Sequence, residues 1–216
     1  MNYRDYLQKI IYIFINPIIK GMIKVGMTPN IVTTLGFIGN ICATALFIMG
    51  ALEMQDGNSS LAYQYILWGG IVILFSGLFD MMDGRLARLG NMSSTFGALW
   101  DSTLDRYSEL ISLFGITLIF IGNDWFWLGV TTFAAMVGSV MVSYVRARAE
   151  GLQIECKVGL MQRPERVVVT AVTAIISGCT ENLWWIAGGM ILIAVLANIT
   201  AFWRVEHCYR ELKKRE

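Results

Sequence analysis

Residues 80–105 read DMMDGRLARLGNMSSTFGALWDSTLD and contain the four aspartates that organise this chain. Asp80 and Asp83 are three residues apart and share one face of a helix. Asp101 and Asp105 are four residues apart and share the face of a second helix. Converging carboxylates repel one another unless a cation lies among them. Oxygen ligands in this number suit Mg²⁺ or Mn²⁺, so the stretch predicts two helices that meet at a divalent-metal site.

The sequence on both sides of this stretch is strongly apolar. Apolar residues make up 56% of the 216 residues and charged residues only 15%, whereas soluble domains carry about a quarter charged residues. We therefore predict an all-α integral membrane protein with six transmembrane helices. The six predicted spans cover residues 30–51, 62–82, 95–122, 124–145, 164–182 and 183–203.

The N-terminal segment has a different pattern. Between residues 3 and 25, polar side chains recur at helical spacing opposite an apolar face, with an interruption at Asn16-Pro17. This pattern predicts an amphipathic helix that lies in the membrane interface, not a seventh span. The predicted organisation is an interfacial helix at 1–28, a six-helix domain at 29–206 and a basic cytoplasmic tail at 207–216.

The distribution of basic residues predicts the orientation. The connections at 52–61, 122–124 and 179–182 contain acidic residues but no Lys or Arg. All 17 Lys and Arg residues fall on the other side of the predicted topology. Because basic loops stay in the cytoplasm, we predict a multi-pass protein of the cell membrane with both termini and the aspartates at the cytoplasmic face.

The acids have two other interpretations. They could form a solvated rim paired with Arg85, Arg88 and Arg106, but their helical spacing on consecutive helices favours a metal site. The chain could also be a cation transporter, which needs polar groups along a path across the membrane. The four aspartates gather toward one end of the predicted spans, which favours chemistry at the membrane surface.

The four aspartates belong to a longer motif with eight fixed positions, which reads Asp80-x2-Asp83-Gly84-x2-Ala87-Arg88-x8-Gly97-x3-Asp101-x3-Asp105. This motif resembles the complete signature of the CDP-alcohol phosphotransferase family. The resemblance implies a CDP-linked lipid as donor, CMP as leaving group, two bound Mg²⁺ or Mn²⁺ ions and a homodimer. It also implies that all four aspartates bind metal and that Asp105 acts in addition as the general base.

The same resemblance implies a binding site for the CDP-lipid. Its residues open the first predicted span and follow the first aspartates: Asn30, Ile31, Val32, Thr33, Gly84, Arg88 and Ser94. Glu109 lies one turn beyond Asp105 on the same face, and the sequence leaves open whether it contacts substrate.

Arginines gather at the cytoplasmic ends of the last three predicted spans. They could be plain topology anchors, or they could form an anion pocket, because Arg binds phosphate through two nitrogens. The second interpretation favours an acceptor that carries its own phosphate. The segments 143–150 and 163–166 resemble the phosphatidylinositol-phosphate synthases of prokaryotes, and that resemblance implies that the acceptor phosphate is held by Arg146, Arg166 and Arg204.

The sequence thus predicts a Mg²⁺-dependent enzyme of phospholipid biosynthesis. It would transfer the phosphatidyl group of CDP-diacylglycerol to inositol 1-phosphate and release CMP and phosphatidylinositol phosphate. Synthesis of phosphatidylglycerophosphate from glycerol 3-phosphate is the alternative within the family, because that reaction also needs an anion pocket.

Overall fold

The computed structural model describes residues 15–215, and within them every regular element is helical. Residues 15–24 form α1, and six longer helices follow: α2 (Pro29–Gln55), α3 (Ser59–Leu89), α4 (Thr95–Gly122), α5 (Phe126–Gly151), α6 (Arg163–Thr180) and α7 (Trp184–Lys213). Prolines stand in the first turns of α2 and α6, where a missing N–H costs no hydrogen bond. The prediction of an all-helical membrane protein is confirmed.

The predicted number of six transmembrane helices is wrong. Among the described residues, only α2, α3, α5 and α7 are long and apolar enough to cross a bilayer. In α4, charged side chains occupy the first half from Asp101 to Glu109. The remaining charge-free stretch, residues 110–122, rises only about 20 Å, whereas the hydrocarbon layer is about 30 Å thick.

α6 falls short for a related reason. It has 18 residues, and its first turn contains Arg163, Glu165 and Arg166. Its apolar part is therefore shorter than the hydrocarbon layer. The sequence prediction counted both segments as spans by the length of their apolar stretches, although the uncharged core of the fifth, from Val167 to Thr180, was short.

The packing of α3 brings the two pairs of aspartates together. α2 packs against both α3 and α4, and α3 also packs against α6. The helices α2 and α3 approach closely at Gly39, since an added Cβ atom there would lie only 2.3 Å from the Ser76 hydroxyl oxygen. Contact between α3 and α6 is also close, because a Cβ atom at Gly70 would lie 2.8 Å from the Ala171 carbonyl oxygen. The acidic end of α3 thus lies beside α4 and the start of α6.

The main hydrophobic core runs along the bundle. Its fully buried side chains include Phe47 of α2, Ile66 of α3, Phe120 of α4 and Met190 of α7.

The predicted interfacial helix lies partly outside the described residues, since 1–14 are not among them. In α1, the described part of that segment, Ile15 and Ile19 are buried in a smaller cluster with Val32 of α2 and Leu86 of α3. This contact fixes α1 against the start of α2 and the end of α3.

Candidate metal centre and active site

Three carboxylates from two helices converge at one end of the bundle. Asp80 of α3 and Asp101 and Asp105 of α4 each place one oxygen within 4.8 Å of the other two. Hard oxygen donors at this spacing fit a divalent cation such as Mg²⁺ or Mn²⁺. Three of the four predicted metal ligands are therefore brought together.

The fourth predicted ligand, Asp83, is held by α2. Its side chain is only 5% exposed, and its Oδ2 accepts a hydrogen bond of 2.6 Å from the Thr33 hydroxyl. Asp83 and Asp101 both line the same cavity between α2, α3 and α4. The fixed Asp83 carboxylate thus lies on the wall of a cavity that adjoins the other three acids.

The acidic cluster has a counter-ion that the sequence analysis missed. Arg163, the first residue of α6, forms ion pairs with both Asp80 and Asp105. Its Nη2 lies 2.7 Å from Asp105 Oδ1 and 3.3 Å from Asp80 Oδ1, while its Nη1 bonds Asp80 Oδ2. The only signal in the sequence was that Arg163 stands at the start of the fifth predicted span.

The surroundings of Asp105 suit a proton acceptor. Asp105 lies in α4, outside the four helices that can cross a bilayer. Burial raises the pKa of Asp105 to about 9; Arg163 opposes this rise, and the neighbouring Asp80 and Asp101 add to it. An ordinary Asp is a weak base, so the raised pKa is in the direction that general-base catalysis requires.

An open cavity of about 340 Å³ adjoins Asp83 and Asp101. Five of the seven residues predicted to bind the CDP-lipid line it: Asn30, Thr33, Gly84, Arg88 and Ser94. Ser94 also begins α4, where its hydroxyl accepts a hydrogen bond of 2.9 Å from the Gly97 N–H. At Gly84 a Cβ atom would meet only Arg88 Nη2, at 3.9 Å, so this backbone faces open space.

The other two predicted CDP-lipid residues do not line this cavity. Ile31 is exposed on the surface of α2. Val32 is fully buried in the small cluster that holds α1. Their positions follow from the helical period, which turns Asn30 and Thr33 toward the cavity and the two residues between them away from it.

A second cavity, of about 380 Å³, lies beside Asp80 between α3, α4 and α6. Its polar lining includes Asp80, Glu109, Arg163 and Arg166. The remainder of the wall is mainly apolar and includes Ile73, Leu74, Leu113 and Val167. Members of the carboxylate cluster thus line both cavities: Asp101 lines the first, which has many polar side chains, and Asp80 lines the second, which is largely apolar.

Arg166, predicted to hold the acceptor phosphate, is engaged by protein groups. Its side chain is 1% exposed and forms a two-pronged ion pair with Glu109, with Nη2 at 2.9 Å from Oε2. Its Nη1 donates to the Met161 carbonyl oxygen at 3.1 Å. The sequence had placed Glu109 on the face of Asp105 without identifying this partner.

Arg204 and Arg146 lie near the same loop, residues 152–162. Arg204 is 3% exposed and donates to the carbonyl oxygens of Val158 at 2.9 Å and Val142 at 2.6 Å. Arg146 is exposed and pairs with Glu150 at 3.0 Å. Arg146 and Arg166 lie close enough to Arg204 for their charges to act on it. The three predicted acceptor arginines thus gather in one region, and their assignment to a phosphate stays a prediction.

The chain matches a known protein family over most of its length. The family model described as CDP-alcohol phosphatidyltransferase matches residues 26–203. The phosphatidylinositol phosphate synthase of Mycobacteroides abscessus is 31% identical over 198 residues, which cover 88% of this chain and 81% of the relative. The archaetidylinositol phosphate synthase of Methanothermobacter thermautotrophicus is 32% identical over 201 residues, which cover 93% and 91%.

Solved structures agree with this match. The crystal structure of the Mycobacterium tuberculosis phosphatidylinositol phosphate synthase with CDP-DAG bound superposes with a TM-score of 0.77 at 32% identity, covering 90% of this chain and 93% of that one. Another structure of that protein, in complex with manganese and citrate, also gives a TM-score of 0.77 at 32% identity, covering 90% of this chain and 88% of that one. Together with the convergent aspartates, these matches indicate a divalent-metal cofactor. The chain belongs to the CDP-alcohol phosphatidyltransferase family and is a membrane-bound phosphatidyltransferase.

Proposed function

We propose that this enzyme transfers the phosphatidyl group of CDP-diacylglycerol to inositol 1-phosphate, forming phosphatidylinositol phosphate and CMP. The observation that carries the proposal is that Asp80 and Asp101, two of the convergent carboxylates, each line a cavity, and that the two cavities differ in character. A CDP-lipid has a polar nucleotide, a diphosphate and an apolar tail, and these three parts match the open cavity, the metal site and the apolar cavity in that order.

The nucleotide half of the donor would lie in the cavity beside Gly84. The absence of a side chain there lets a substrate approach the helix backbone. Arg88 and Ser94 on the same wall offer a cation and a hydroxyl to the diphosphate. Thr33 holds Asp83 at this wall through its hydrogen bond.

We propose that the metal site takes two Mg²⁺ ions, with Asp80, Asp83, Asp101 and Asp105 as ligands. When bound, such ions neutralise the diphosphate and stabilise the charge that develops on the departing CMP. In the transfer itself, an acceptor hydroxyl attacks the lipid-bearing phosphorus, the P–O bond to CMP breaks, and a carboxylate oxygen of Asp105 accepts the hydroxyl proton. The family resemblance supports this role.

The acceptor would enter from the side of α6 and the loop 152–162. Three arginines gather there, and Glu109 is held by Arg166 at the edge of the second cavity. Such a surface fits a polyol with a phosphate. The Mycobacteroides relative is a phosphatidylinositol phosphate synthase, and the Methanothermobacter relative is an archaetidylinositol phosphate synthase. The two names differ in the lipid and share inositol phosphate, which supports inositol phosphate as the acceptor.

We further propose that the active site faces the cytoplasm and that the enzyme works as a homodimer. The orientation is supported by the lack of Lys and Arg in the connections at the opposite end of the bundle. The homodimer is supported by the family resemblance alone. Chemical cross-linking in intact membranes, followed by gel electrophoresis, tests it.

The decisive experiment incubates purified protein with CDP-diacylglycerol, Mg²⁺ and one acceptor at a time. The acceptors are inositol 1-phosphate, glycerol 3-phosphate, inositol and serine, and the readout is CMP release together with the mass of the lipid product. We expect release with inositol 1-phosphate and none with the two acceptors that carry no phosphate. Release with glycerol 3-phosphate but not with inositol 1-phosphate would assign the alternative reaction.

A further inference from the structure

Arg163 supplies a positive charge to the acidic cluster, whose carboxylates would otherwise repel one another. Its two Nη nitrogens contact oxygens of Asp80 and Asp105, which belong to different helices and to the group of three convergent carboxylates. The Arg163 side chain is 20% exposed and lines the second cavity, so it lies at an accessible edge of the site.

The second arginine of the same turn offers a useful contrast. Arg166 pairs with one acid, Glu109, and its Nη1 is held in addition by the Met161 carbonyl. That pair is almost fully buried and lies outside the group of convergent carboxylates. The Arg166 pair is therefore arranged as a fixed part of the protein, whereas Arg163 pairs with two of the three carboxylates that would hold a metal ion.

A guanidinium and a divalent ion compete for the carboxylates of Asp80 and Asp105. Mg²⁺ coordinates oxygens at about 2.0–2.1 Å, and Arg163 already directs N–H groups at both Asp80 oxygens and at Asp105 Oδ1. The guanidinium carries one delocalised charge, and a divalent ion carries two on one atom. Removing both kinds of cation leaves the carboxylates to repel one another.

We propose that Arg163 is a resident counter-cation of the metal site, which holds Asp80 and Asp105 together when no metal is bound and is displaced when a divalent ion enters. This inference rests on the metal site in the proposed function and adds a residue that sets its affinity. The proposal gives Arg163 two opposite effects. It stabilises the metal-free enzyme, and it weakens the binding of the first metal ion.

The test compares Arg163→Gln with wild type and with Arg210→Gln. Arg210 is an exposed residue of α7 that pairs with Glu206, so its substitution also removes one positive charge but lies outside the site. Metal-free protein in detergent is titrated with Mn²⁺ without substrate, and free Mn²⁺ is measured by electron paramagnetic resonance. The thermal unfolding midpoint is measured in EDTA and in saturating Mn²⁺.

Two changes of opposite sign are expected for Arg163→Gln. The Kd for Mn²⁺ should fall about tenfold, because the ion no longer has to replace charged hydrogen bonds. The unfolding midpoint in EDTA should fall by about 4 °C or more, and saturating Mn²⁺ should restore most of the loss. Arg210→Gln should change neither quantity.

Mn²⁺ binding that is unchanged or weaker in Arg163→Gln would overturn the inference, because a merely structural ion pair would weaken the site when lost. If Arg163→Gln does not fold, Arg163→Lys keeps the charge but cannot bridge two carboxylates as the guanidinium does. The same two signs with smaller size are then expected. Failure of wild type to bind Mn²⁺ would instead reject the metal site itself, and this inference with it.

Discussion

The proposed donor side of the active site and the proposed acceptor side are built in opposite ways. On the donor side, α2, α3 and α4 surround a cavity of about 340 Å³ in which the backbone at Gly84 faces open space. On the acceptor side, the buried Arg166 and Arg204 donate to Glu109 and to backbone carbonyls. The proposed donor side is an open cavity, and the proposed acceptor side consists of arginines that already have protein partners.

This difference has an energetic consequence. A nucleotide can enter the donor cavity without breaking a protein contact, whereas a phosphate that reaches Arg166 or Arg204 must replace existing hydrogen bonds. Each such charged bond is worth about 1.5–3 kcal/mol, so acceptor affinity depends on how easily the loop 152–162 gives up its bonds to the two arginines. We therefore expect substitutions near that loop to affect the acceptor and to leave the donor almost unaffected.

The largest effect is expected where the two sides meet. Substituting Asp80, Asp83 or Asp101 by Asn should each lower kcat/KM at least about a thousandfold, equivalent to ~4 kcal/mol, because a metal site stabilises transition-state charge by several kcal/mol. Asp105→Asn should leave CDP-diacylglycerol binding nearly intact and remove turnover, because a general base acts on the acceptor. CMP release and equilibrium binding of the labelled donor measure the two quantities.

Asp124→Asn is the matched control for these variants. Asp124 lies at the opposite end of the bundle and has a positive φ of 60°, which Asn tolerates well. This variant should keep wild-type activity. Full activity of the Asp101→Asn enzyme, or of wild type in excess EDTA, would contradict the proposed role of the carboxylates.

The donor side could be predicted from sequence because its residues are close together in the chain. Asp83, Gly84, Ser94 and Asp101 lie within one short motif, and the helical period alone places each pair of acids on one face. The remaining residues predicted to bind the CDP-lipid lie at the start of the neighbouring helix α2. Ile31 and Val32 are the exceptions, since a contiguous segment of a helix cannot present every residue to one cavity.

The acceptor side and the number of spans were harder to predict for physical reasons. Arg163 is 83 residues from Asp80, and Arg204 is 62 residues from Val142, so no local period connects these partners. An arginine at a helix end is equally consistent with a membrane anchor, a protein ion pair or a phosphate ligand. The length of an apolar stretch indicated where the helices lie but not which of them are free of charge over a full bilayer thickness.

The acceptor arginines provide the next test, with effects of intermediate size. Arg146→Ala, Arg166→Ala and Arg204→Ala should each raise the KM for inositol 1-phosphate about ten- to a hundredfold, the cost of one charged hydrogen bond to a phosphate. The KM for CDP-diacylglycerol should stay within about twofold. Arg146→Ala is the cleanest variant, because its exposed pair with Glu150 adds little to stability.

The control set lies beyond the site on the last turns of α7. Arg210→Ala, Lys213→Ala and Lys214→Ala remove exposed charges and should leave the acceptor KM unchanged. Arg215 does not belong in this set, because it donates to the carbonyl oxygens of Leu152 and Gln153 at 3.0 and 2.7 Å and so contacts the loop. If the site arginines and the control set gave equal KM values, the arginines would be topology anchors only.

The smallest expected effect concerns Gly84, where the donor side is most open. A methyl group there would meet no protein atom closer than 3.9 Å, so Gly84→Ala should fold without strain. Ala also favours a helix over Gly by about 1 kcal/mol, so the unfolding midpoint should stay equal or rise. The same methyl group projects into the space proposed for the nucleotide. We expect the KM for CDP-diacylglycerol to rise roughly tenfold, about 1.4 kcal/mol, while the acceptor KM stays unchanged.

Gly188→Ala is the matched control for this variant, because Gly188 also lies within a helix and a methyl group added there would have no protein atom within 4 Å. It should share any gain in stability and leave both KM values alone. The pair separates a helix effect, common to both variants, from a steric effect on the donor, specific to Gly84. A donor KM equal to wild type in Gly84→Ala would mean that the nucleotide lies away from this backbone, and the open cavity would then lose its assignment as the donor site.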